Sequence, residues 1–283
     1  MWVQPYKYNE ERRFGVEFEV INKDNSSQEK VQQELSEAGI AFDNRGYMHN
    51  TNSNNLIIWT IKDDSSIMGN FGGFEIVSPV LKGSEGLAQV EKVCNILVKY
   101  CSVNKSTGFH VHHEAVDLKD GAFRNLFNLY KNFSPIINYF VSASRRDNHY
   151  CRVPNDLDLY NKKSPKAIKR ALVNTTDRYR AVNFTSYAIR GTIEFRQHQG
   201  TVDAKKAVAW IVLTQAMIET AKSKVSIASK RASSTITPCY LFDFIGWVPK
   251  YLDEKIIDMR AYFKERYRIF KKELVNENSM EQN

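Results

Sequence analysis

The sequence lacks the long apolar run that a membrane span needs. Its longest such run, Ala207 to Leu213, falls well short of the roughly 18 apolar residues that a spanning helix requires. The N-terminal segment MWVQPYKYNEERR also has no apolar core of the signal-peptide type. We therefore expect a soluble, cytoplasmic protein without a membrane partner.

Cysteine is scarce, with 4 residues in a chain of 283, and no two of them form a CxxC pair. Paired spacing of that kind is typical of thiolate metal sites and redox motifs. Cys94 and Cys101 are predicted to share one helix face. We expect buried free thiols here, in preference to a disulfide or a thiolate-bound metal.

A GxxxxGK[ST] loop is also missing, so the sequence does not support a P-loop nucleotide site. Basic residues nevertheless exceed acidic ones, giving a formal net charge of +8 and a pI near 9.1. This charge suits phosphates, nucleotides or nucleic acid as partners and does not choose among them. Three local groups hold much of the excess, and we interpret them mostly as solvated faces: 162–170, 222–231 and 260–272.

Strands and helices are mixed without regular βαβ alternation. Strand patterns occur in FGVEFEV, LIIWTIKDDSS, FGGFEIVSPV, GFHVHHEAV, RYRAVNF and GTIEFRQHQ. Helices are predicted up to Gly39, over about 85–101, through FRNLFNLYKNFSPIINYFVSAS with a break before Pro135, from an Asp203 cap to about 223, and over about 241–277. The pattern favours an α+β fold, a curved antiparallel sheet with helices packed on one face.

A polar stretch with basic groups runs from about 145 to 170 and is the most loop-like part of the chain. A segment of that length and polarity is suited to act as a mobile flap over a reaction site.

Polar side chains recur on one face of four predicted strands. They alternate with residues such as Phe18, Val111 and Phe195 that belong in a core. The polar set, strand by strand, is Glu17 with Glu19, then Glu75, then His110 with His112, and finally Glu194 with Arg196. One face of the sheet is thus predicted to be apolar and the other lined with acids, imidazoles and a guanidinium.

Such a face is electrostatically costly. Strand residues two apart lie about 6.5 Å apart, and two carboxylates at that distance repel by roughly 3 kcal/mol at an effective dielectric of about 20. Divalent cations remove this cost, and carboxylates with one imidazole suit Mg²⁺ or Mn²⁺ better than Zn²⁺. Taken singly, an ExE strand is usually a solvent face, an HxH pair is usually structural, and Glu194 with Arg196 is an ordinary ion pair. Together they favour a shared site for metal and an anionic ligand.

The ordered series FGVEFEV, WTIKDDSS, FEIVSPVL, STGFHVHH, SRRDNHYC, RYRAVNF and GTIEFRQHQGTVD resembles the amidoligase family, which is related to glutamine synthetase and glutamate-cysteine ligase. The resemblance covers about 14–220. It implies a glutamine synthetase-like catalytic domain, and we expect one such domain over 1–283 with a helical C-terminal extension at about 240–277.

The resemblance also implies roles for single residues. The metal ligands that it implies are Glu17, Glu19, Glu75, His110 and Glu194. Arg196 would contact a phosphoryl group, with Arg180 and His112 as further catalytic residues. His112 would contact the nucleotide or transfer a proton, although a structural histidine is nearly as good an interpretation. Nucleotide or substrate contacts fall on Arg145, Arg146, Arg190, Asn183 and one of Asp63 and Asp64.

The activity that the resemblance implies is ATP- and Mg²⁺-dependent ligation of a carboxylate to an amine, with Mn²⁺ as a substitute ion. ATP would convert the carboxylate into an acyl phosphate, which the amine then attacks. The substrates would be small molecules or peptides, and nucleic acid is allowed by the charge without being required.

Three other functions remain open from the residues. A metal-dependent nuclease or phosphodiesterase would also use clustered acids, HVHH and a positive surface. A nucleic-acid-binding module without catalysis would use the surface alone. A phosphotransferase acting on a guanidino group would use the related fold.

Overall fold

The computed structural model describes residues 6–45, 58–146, 148–155, 159, 161–230, 237–248, 250 and 253–280. The chain divides into two compact units. The strand unit is Asn9–Asp117 with Asn183–Thr214, and the helical unit is Met1–Tyr8, Leu118–Val182 and Gln215–Asn283. The expectation of one catalytic domain over the whole chain stays a prediction.

The strand unit is built on an open, mostly antiparallel sheet. Within the described residues its strands are β1 (Arg13–Asn22), β2 (Phe42–Asn44), β3 (Trp59–Asp63), β4 (Gly73–Val77), β5 (Leu81–Lys82), β6 (Cys101–Ser102), β7 (Gly108–Glu114), β8 (Val182–Asn183) and β9 (Thr192–Gln199). The order is β2-β3-β4-β1-β7-β9-β8, with β5 and β6 also paired to β1. The expected α+β fold is confirmed. One pair, β2 with β3, is parallel. The start of LIIWTIKDDSS, at 56–57, lies outside the described residues.

Within the described residues the helices are α1 (Ser27–Glu37), α2 (Gly83–Tyr100), α3 (Asp120–Ile137), α4 (Pro165–Val173), α5 (Ser186–Arg190), α6 (Ala204–Ser223), α7 (Pro238–Phe244) and α8 (Glu254–Met280). Helices α1, α2 and α6 follow the predicted positions with small shifts at their ends, whereas α3 ends earlier than predicted. The single helix predicted over about 241–277 is divided into α7 and α8, and α4 and α5 were not predicted. The predicted cap of α6 is confirmed, because the backbone N–H of Lys206 donates to Asp203 Oδ1 at 3.1 Å.

Helices pack on the apolar face of the sheet. Phe14, Val16 and Phe18 of β1 are buried on that face. Helix α2 comes close enough that a Cβ on Gly86 would lie 3.1 Å from Phe14 Cζ. On β9, the His198 ring lies 5.1 Å from the Trp210 ring of α6. The opposite face of β1 carries Glu17 and Glu19, as the alternation predicts.

The predicted break before Pro135 is wrong, because α3 continues to Ile137. Proline cannot donate to the carbonyl four residues earlier, which is that of Lys131. The Ser134 hydroxyl donates to this same carbonyl at 2.9 Å. The lost backbone hydrogen bond is thus replaced, and the helix can end two residues beyond the proline.

The predicted helix position of Cys101 is also wrong, because α2 ends at Tyr100 and Cys101 is the first residue of β6. The expectation of free thiols is confirmed for all four cysteines. Burial raises the pKa of the Cys94 and Cys101 thiols to about 12. Both are therefore protonated at neutral pH and are poor metal ligands.

In the helical unit, three asparagines of α3 hold the chain that follows α6. Asn125 donates to the carbonyl of Lys224 at 2.7 Å and accepts from the N–H of Ile227 at 2.9 Å. Asn128 donates to the carbonyl of Ile227 at 2.7 Å, and Asn132 donates to that of Ala228 at 2.9 Å. These contacts satisfy backbone groups of a segment without regular secondary structure.

The stretch 145–170 is less loop-like than predicted. A short 3-10 turn, Ala143–Arg145, ends at its first residue, a second spans His149–Cys151, and α4 begins at Pro165. Residues 147, 156–158 and 160 of this stretch lie outside the described residues. Ser164 caps α4 by accepting from the N–H of Ala167 at 3.2 Å. Among the described residues, none of the helices has the length and apolar character that crossing a membrane would take.

Gly73, at the start of β4, tests the close packing of the strand unit. A Cβ there would lie 2.5 Å from the carbonyl oxygen of Val20, which is backbone and cannot swing away. We expect Gly73→Ala to lower the free energy of unfolding by about 1–3 kcal/mol, measured by chemical denaturation. Gly121→Ala is the control, because nothing lies within 4 Å of its Cβ position and a helix gains roughly 0.5–1 kcal/mol from the change. Equal effects of the two substitutions would contradict this packing.

Candidate active site

The strand registers bring the predicted polar residues together. Glu19 lies opposite Glu75 across the β1–β4 pair. Glu17 lies opposite His110 across the β1–β7 pair, and His112 lies opposite Glu194 across the β7–β9 pair. Residues from β4, β1, β7 and β9 thus form one continuous row on the face of the sheet opposite Phe14, Val16 and Phe18.

Glu17 lies at the centre of the cluster. Its Oε2 is 3.2 Å from His110 Nδ1, and its Oε1 is 3.2 Å from His112 Nε2. Burial alone would raise the pKa of Glu17, but the two imidazoles outweigh burial and hold that pKa well below its usual range. The carboxylate is therefore ionised, although only 13% of its side chain is exposed.

Glu194 is the most firmly held carboxylate. Its Oε2 accepts from Asn183 Nδ2 at 2.7 Å and from the Ser186 hydroxyl at 3.2 Å. Its Oε1 pairs with the Arg196 guanidinium and lies 3.6 Å from His110 Nδ1. Burial would raise the pKa of Glu194, but the charge of Arg196 and, after it, the imidazoles of His112 and His110 together outweigh burial and lower the pKa to about 2. Its orientation and its charge are both fixed.

Asn183 was predicted to contact a nucleotide or substrate. In the structure its side chain holds the Glu194 carboxylate in place. Its side-chain N–H group donates to Glu194, while its Oδ1 accepts from the N–H and hydroxyl of Thr185 at 2.9 and 2.7 Å. Sequence analysis missed the contribution of Ser186. The usable signal was a hydroxyl residue a few positions after Asn183 in the run NFTS, directly before the strand that carries Glu194.

Glu19 and Glu75 form the other end of the row. Glu19 Oε2 accepts from the backbone N–H of Gly108 at 2.6 Å. Glu75 lies 3.8 Å from Lys62 Nζ of β3. Burial, and next the charge of Glu17, raise the pKa of Glu75 well above its usual range. Sequence analysis missed Lys62, although the alternation in WTIKD marks it as a polar position on the strand next to Glu75.

The β7–β9 pair contains one irregularity, next to Arg196. The β7–β9 register shifts by one residue between Phe109 and Val111, so β9 carries one extra residue there. Phe195 and His198, which are three positions apart, can therefore both pack in the core. Arg196 keeps the face of Glu194, as predicted. A bulge that re-aims side chains is common beside reaction sites.

Three of these groups fit a metal ion by geometry. Glu17, His112 and Glu194 each offer one ligand atom, and these atoms all lie within 4.8 Å of one another. Two carboxylates with one imidazole suit a hard divalent ion. This group contains His112, whereas the resemblance gave the metal role to His110. His110 remains within reach, because its Nε2 lies 3.6 Å from Glu19 Oε1.

Other predicted residues lie at the margin of the cluster or in the helical unit. Arg190, at the end of α5, is 52% exposed with its Nη1 3.9 Å from Glu17 Oε1. Asp64 accepts from the N–H and hydroxyl of Ser66 in a local turn. Asp63 ends β3 and, like Arg190, belongs to the strand unit.

Arg145, Arg146 and Arg180 belong to the helical unit. The guanidinium of Arg146 lies over the Tyr139 and Phe270 rings, 5.1 and 5.2 Å from their centres. Arg180 Nε pairs with Asp177 at 3.0 Å. Arg145 is buried. Each therefore has a well-defined environment in its own unit, and the substrate and nucleotide roles assigned to the three arginines stay predictions.

The family is shown by comparison with known sequences. A family model described as "Putative amidoligase enzyme" matches residues 10–218, which is most of the chain. The protein belongs to the amidoligase family. Membership supports an enzyme of the ligase class that forms an amide bond. A comparison with curated proteins gave no match.

Two solved structures are similar to this amidoligase. A bifunctional glutathione synthetase from Pasteurella multocida is 11% identical with a TM-score of 0.44, covering 94% of this chain and 50% of its own. A structure described as apo GmaS without ligand is 14% identical with a TM-score of 0.41, covering 94% of this chain and 70% of its own. The amidoligase thus spans about half the length of the synthetase.

Glu75 provides a test of the charge balance in the metal-free site. A carboxyl whose pKa is raised in the folded state opposes folding once the pH exceeds its ordinary value of 4.5, because the unfolded chain ionises first. We therefore expect Glu75→Gln to raise the melting temperature by about 2 °C at pH 7.5 in EDTA. The measurement is calorimetry, with Glu29→Gln on the exposed side of α1 as the control. A lower melting temperature for Glu75→Gln would contradict this balance.

Proposed function

We propose that this amidoligase joins a carboxylate to an amine in a reaction that depends on ATP and Mg²⁺ and passes through an acyl phosphate. The observation that carries the proposal is the row of four glutamates and two histidines, with Arg196 at one end, on one face of the sheet. Family membership supports amide-bond formation, and the row is suited to phosphoryl transfer.

The chemistry explains why such a row would be needed. A carboxylate is a poor electrophile, so an amine does not displace oxygen from it in water. Transfer of the γ-phosphoryl group to one carboxylate oxygen gives an acyl phosphate and ADP. The amine then attacks the acyl carbon, phosphate leaves, and the amine gives up one proton. Charge accumulates on phosphoryl oxygens during the first step, so cationic groups must be in place beforehand.

The residues that would hold Mg²⁺ are Glu17, Glu194 and His112, with Glu19, Glu75 and His110 beside them. When bound, the ion would neutralise phosphate oxygens and the acceptor carboxylate. The cluster fits a divalent ion because of its charge. Its four buried or half-buried carboxylates have few cations beside them, and the pKa of Glu75 is raised, which favours the neutral form of that carboxyl. A divalent ion is the simplest group that would balance this face.

Arg196 would bind the transferred phosphoryl group. Its guanidinium is 14% exposed and is oriented by Glu194, so it is held rigidly while part of it still meets solvent. A planar guanidinium binds phosphoryl oxygens in a fixed, two-point geometry. Arg190 is far more exposed and would meet a phosphate or a substrate carboxylate at the margin.

His112 would act as a ligand or move a proton. Its Nδ1 lies 3.1 Å from the Thr192 hydroxyl, which fixes the ring, while its Nε2 faces Glu17 and Glu194. A ring held in this way presents one nitrogen to the site in a constant orientation. The expected flap over 145–170 stays a prediction.

The test is phosphate release from ATP and Mg²⁺ with pools of carboxylates and amines, followed by mass spectrometry of the product. We expect ADP, phosphate and a new amide only when both substrates are present. Glu17→Gln should lower the rate at least 100-fold because it removes the central carboxylate, whereas Glu29→Gln should not change it. Cleavage of DNA or RNA without ATP, or a phosphorylated guanidino product without an amide, would contradict the proposal.

Mn²⁺ binding offers a test that needs no substrate. We expect the protein to bind Mn²⁺, followed by the electron paramagnetic resonance signal of the free ion. Asn183→Leu should weaken binding by about 10- to 100-fold, because Glu194 loses its orienting contact. Asn70→Leu, at an exposed loop position, is the control. Unchanged affinity in Asn183→Leu would rule out Glu194 as an oriented ligand.

A further inference from the structure

Three aromatic rings lie together on the surface of the helical unit. Tyr150 and Tyr179 have ring centres 5.4 Å apart, and His149 lies 5.6 Å from Tyr150 and 5.5 Å from Tyr179. Tyr150 is 52% exposed, and His149 is exposed as well. We call this group the aromatic cluster. None of its members takes part in the proposed ligase chemistry.

The aromatic cluster is held in place by its backbone. The N–H of Arg152 donates to the carbonyl of Tyr179 at 3.1 Å, and the N–H of Ala181 donates back to the carbonyl of Arg152 at 2.8 Å. Asn148 Oδ1 accepts from the N–H of Tyr150 at 2.8 Å. Two distant segments are thus joined directly below the rings, so little conformational entropy would be lost when a ligand binds.

Arginines surround the rings. The guanidinium of Arg178 lies over the Tyr179 ring, 5.3 Å from its centre, and Arg178 is exposed. Arg152 and Arg180 share one carboxylate, that of Asp177. Among the described residues, Asp177 pairs with two guanidinium groups, and the exposed Arg178 adds a further positive charge beside the rings.

The exposed rings of His149 and Tyr150 and the half-buried ring of Tyr179, with guanidinium groups around them, match one kind of ligand. Nucleobases stack on aromatic side chains, and the linked phosphates pair with arginine. A duplex keeps its base faces covered by neighbouring pairs, so only an unpaired strand can offer them. An open surface gains little from a single base, and binding must therefore accumulate over several bases and phosphates of one strand.

We propose that the aromatic cluster binds single-stranded nucleic acid, with Tyr150 and Tyr179 stacking on bases and Arg152 and Arg178 pairing with phosphates. The net charge of +8 favours the encounter. This binding function uses residues other than those proposed for ligation, and it holds whether or not ligation is confirmed.

The test is fluorescence anisotropy with a labelled 12-nucleotide oligo(U) RNA and the full chain. We expect binding that weakens steeply with salt, and a roughly tenfold loss of affinity in Tyr150→Ala. Tyr150→Phe should keep the affinity, because the ring is what stacks. Tyr240→Ala is the matched control, since Tyr240 of α7 is also 52% exposed and lies outside the cluster.

A second variant separates charge from folding. Arg178→Ala removes an exposed side chain and should flatten the salt dependence, whereas Arg268→Ala, in the exposed part of α8, should leave it unchanged. Circular dichroism checks that each variant is folded. Three results would overturn the proposal: equal losses in Tyr150→Ala and Tyr240→Ala, equal affinity for a 12-base-pair duplex, or equal competition by AMP. Tyr150-dependent binding to vesicles of anionic phospholipid without binding to RNA would do so as well.

Discussion

Electrostatic repulsion among carboxylates on one face of a sheet is the constraint on which the rest of this structure depends. Glu17, Glu19, Glu75 and Glu194 come from three strands and are all largely removed from water. Folding must therefore offset the cost of assembling them. The protein does so locally, with His110 and His112 on one side of Glu17 and with Arg196 and Asn183 around Glu194. Glu75 receives least compensation, and its pKa moves furthest toward the neutral form.

This unequal compensation gives the carboxylates different chemical characters. Glu194 is fixed, ionised and supported through Asn183, as expected of a ligand whose position matters. Glu17 is ionised and contacts two imidazoles. Its negative charge is therefore available to a cation that takes the place of those contacts. Natural proteins keep such locally unfavourable arrangements mainly at functional sites. Burial of apolar side chains on the opposite face, where β1 packs against α2 and β9 packs against α6, offsets this electrostatic cost.

Much of the site followed from period-two alternation in the sequence. That pattern correctly placed Glu17, Glu19, His110 and His112 on the face opposite Phe18 and Val111, because side-chain direction in a strand is a local property. Strand register is not local, so the sequence could not reveal that His112 faces Glu194 or that Glu19 faces Glu75. The bulge in β9 and the contact from Ser186 depend on the same long-range pairing. The continuation of α3 past Pro135 was missed because it depends on a single side-chain hydrogen bond, the one that Ser134 donates.

The predicted arginines differ in where the structure places them. Arg196 lies in the cluster as expected, because alternation along β9 places it on the same face as Glu194, two positions earlier. Arg145, Arg146 and Arg180 were assigned from weaker motif matches, and they lie in the helical unit with aromatic or acidic neighbours of their own. The most direct test of the account is anomalous diffraction from crystals soaked with Mn²⁺ and a non-hydrolysable ATP analogue. The account predicts an anomalous peak within about 2.5 Å of oxygens of Glu17 and Glu194. Crystals with the analogue bound but no peak among these carboxylates would contradict it.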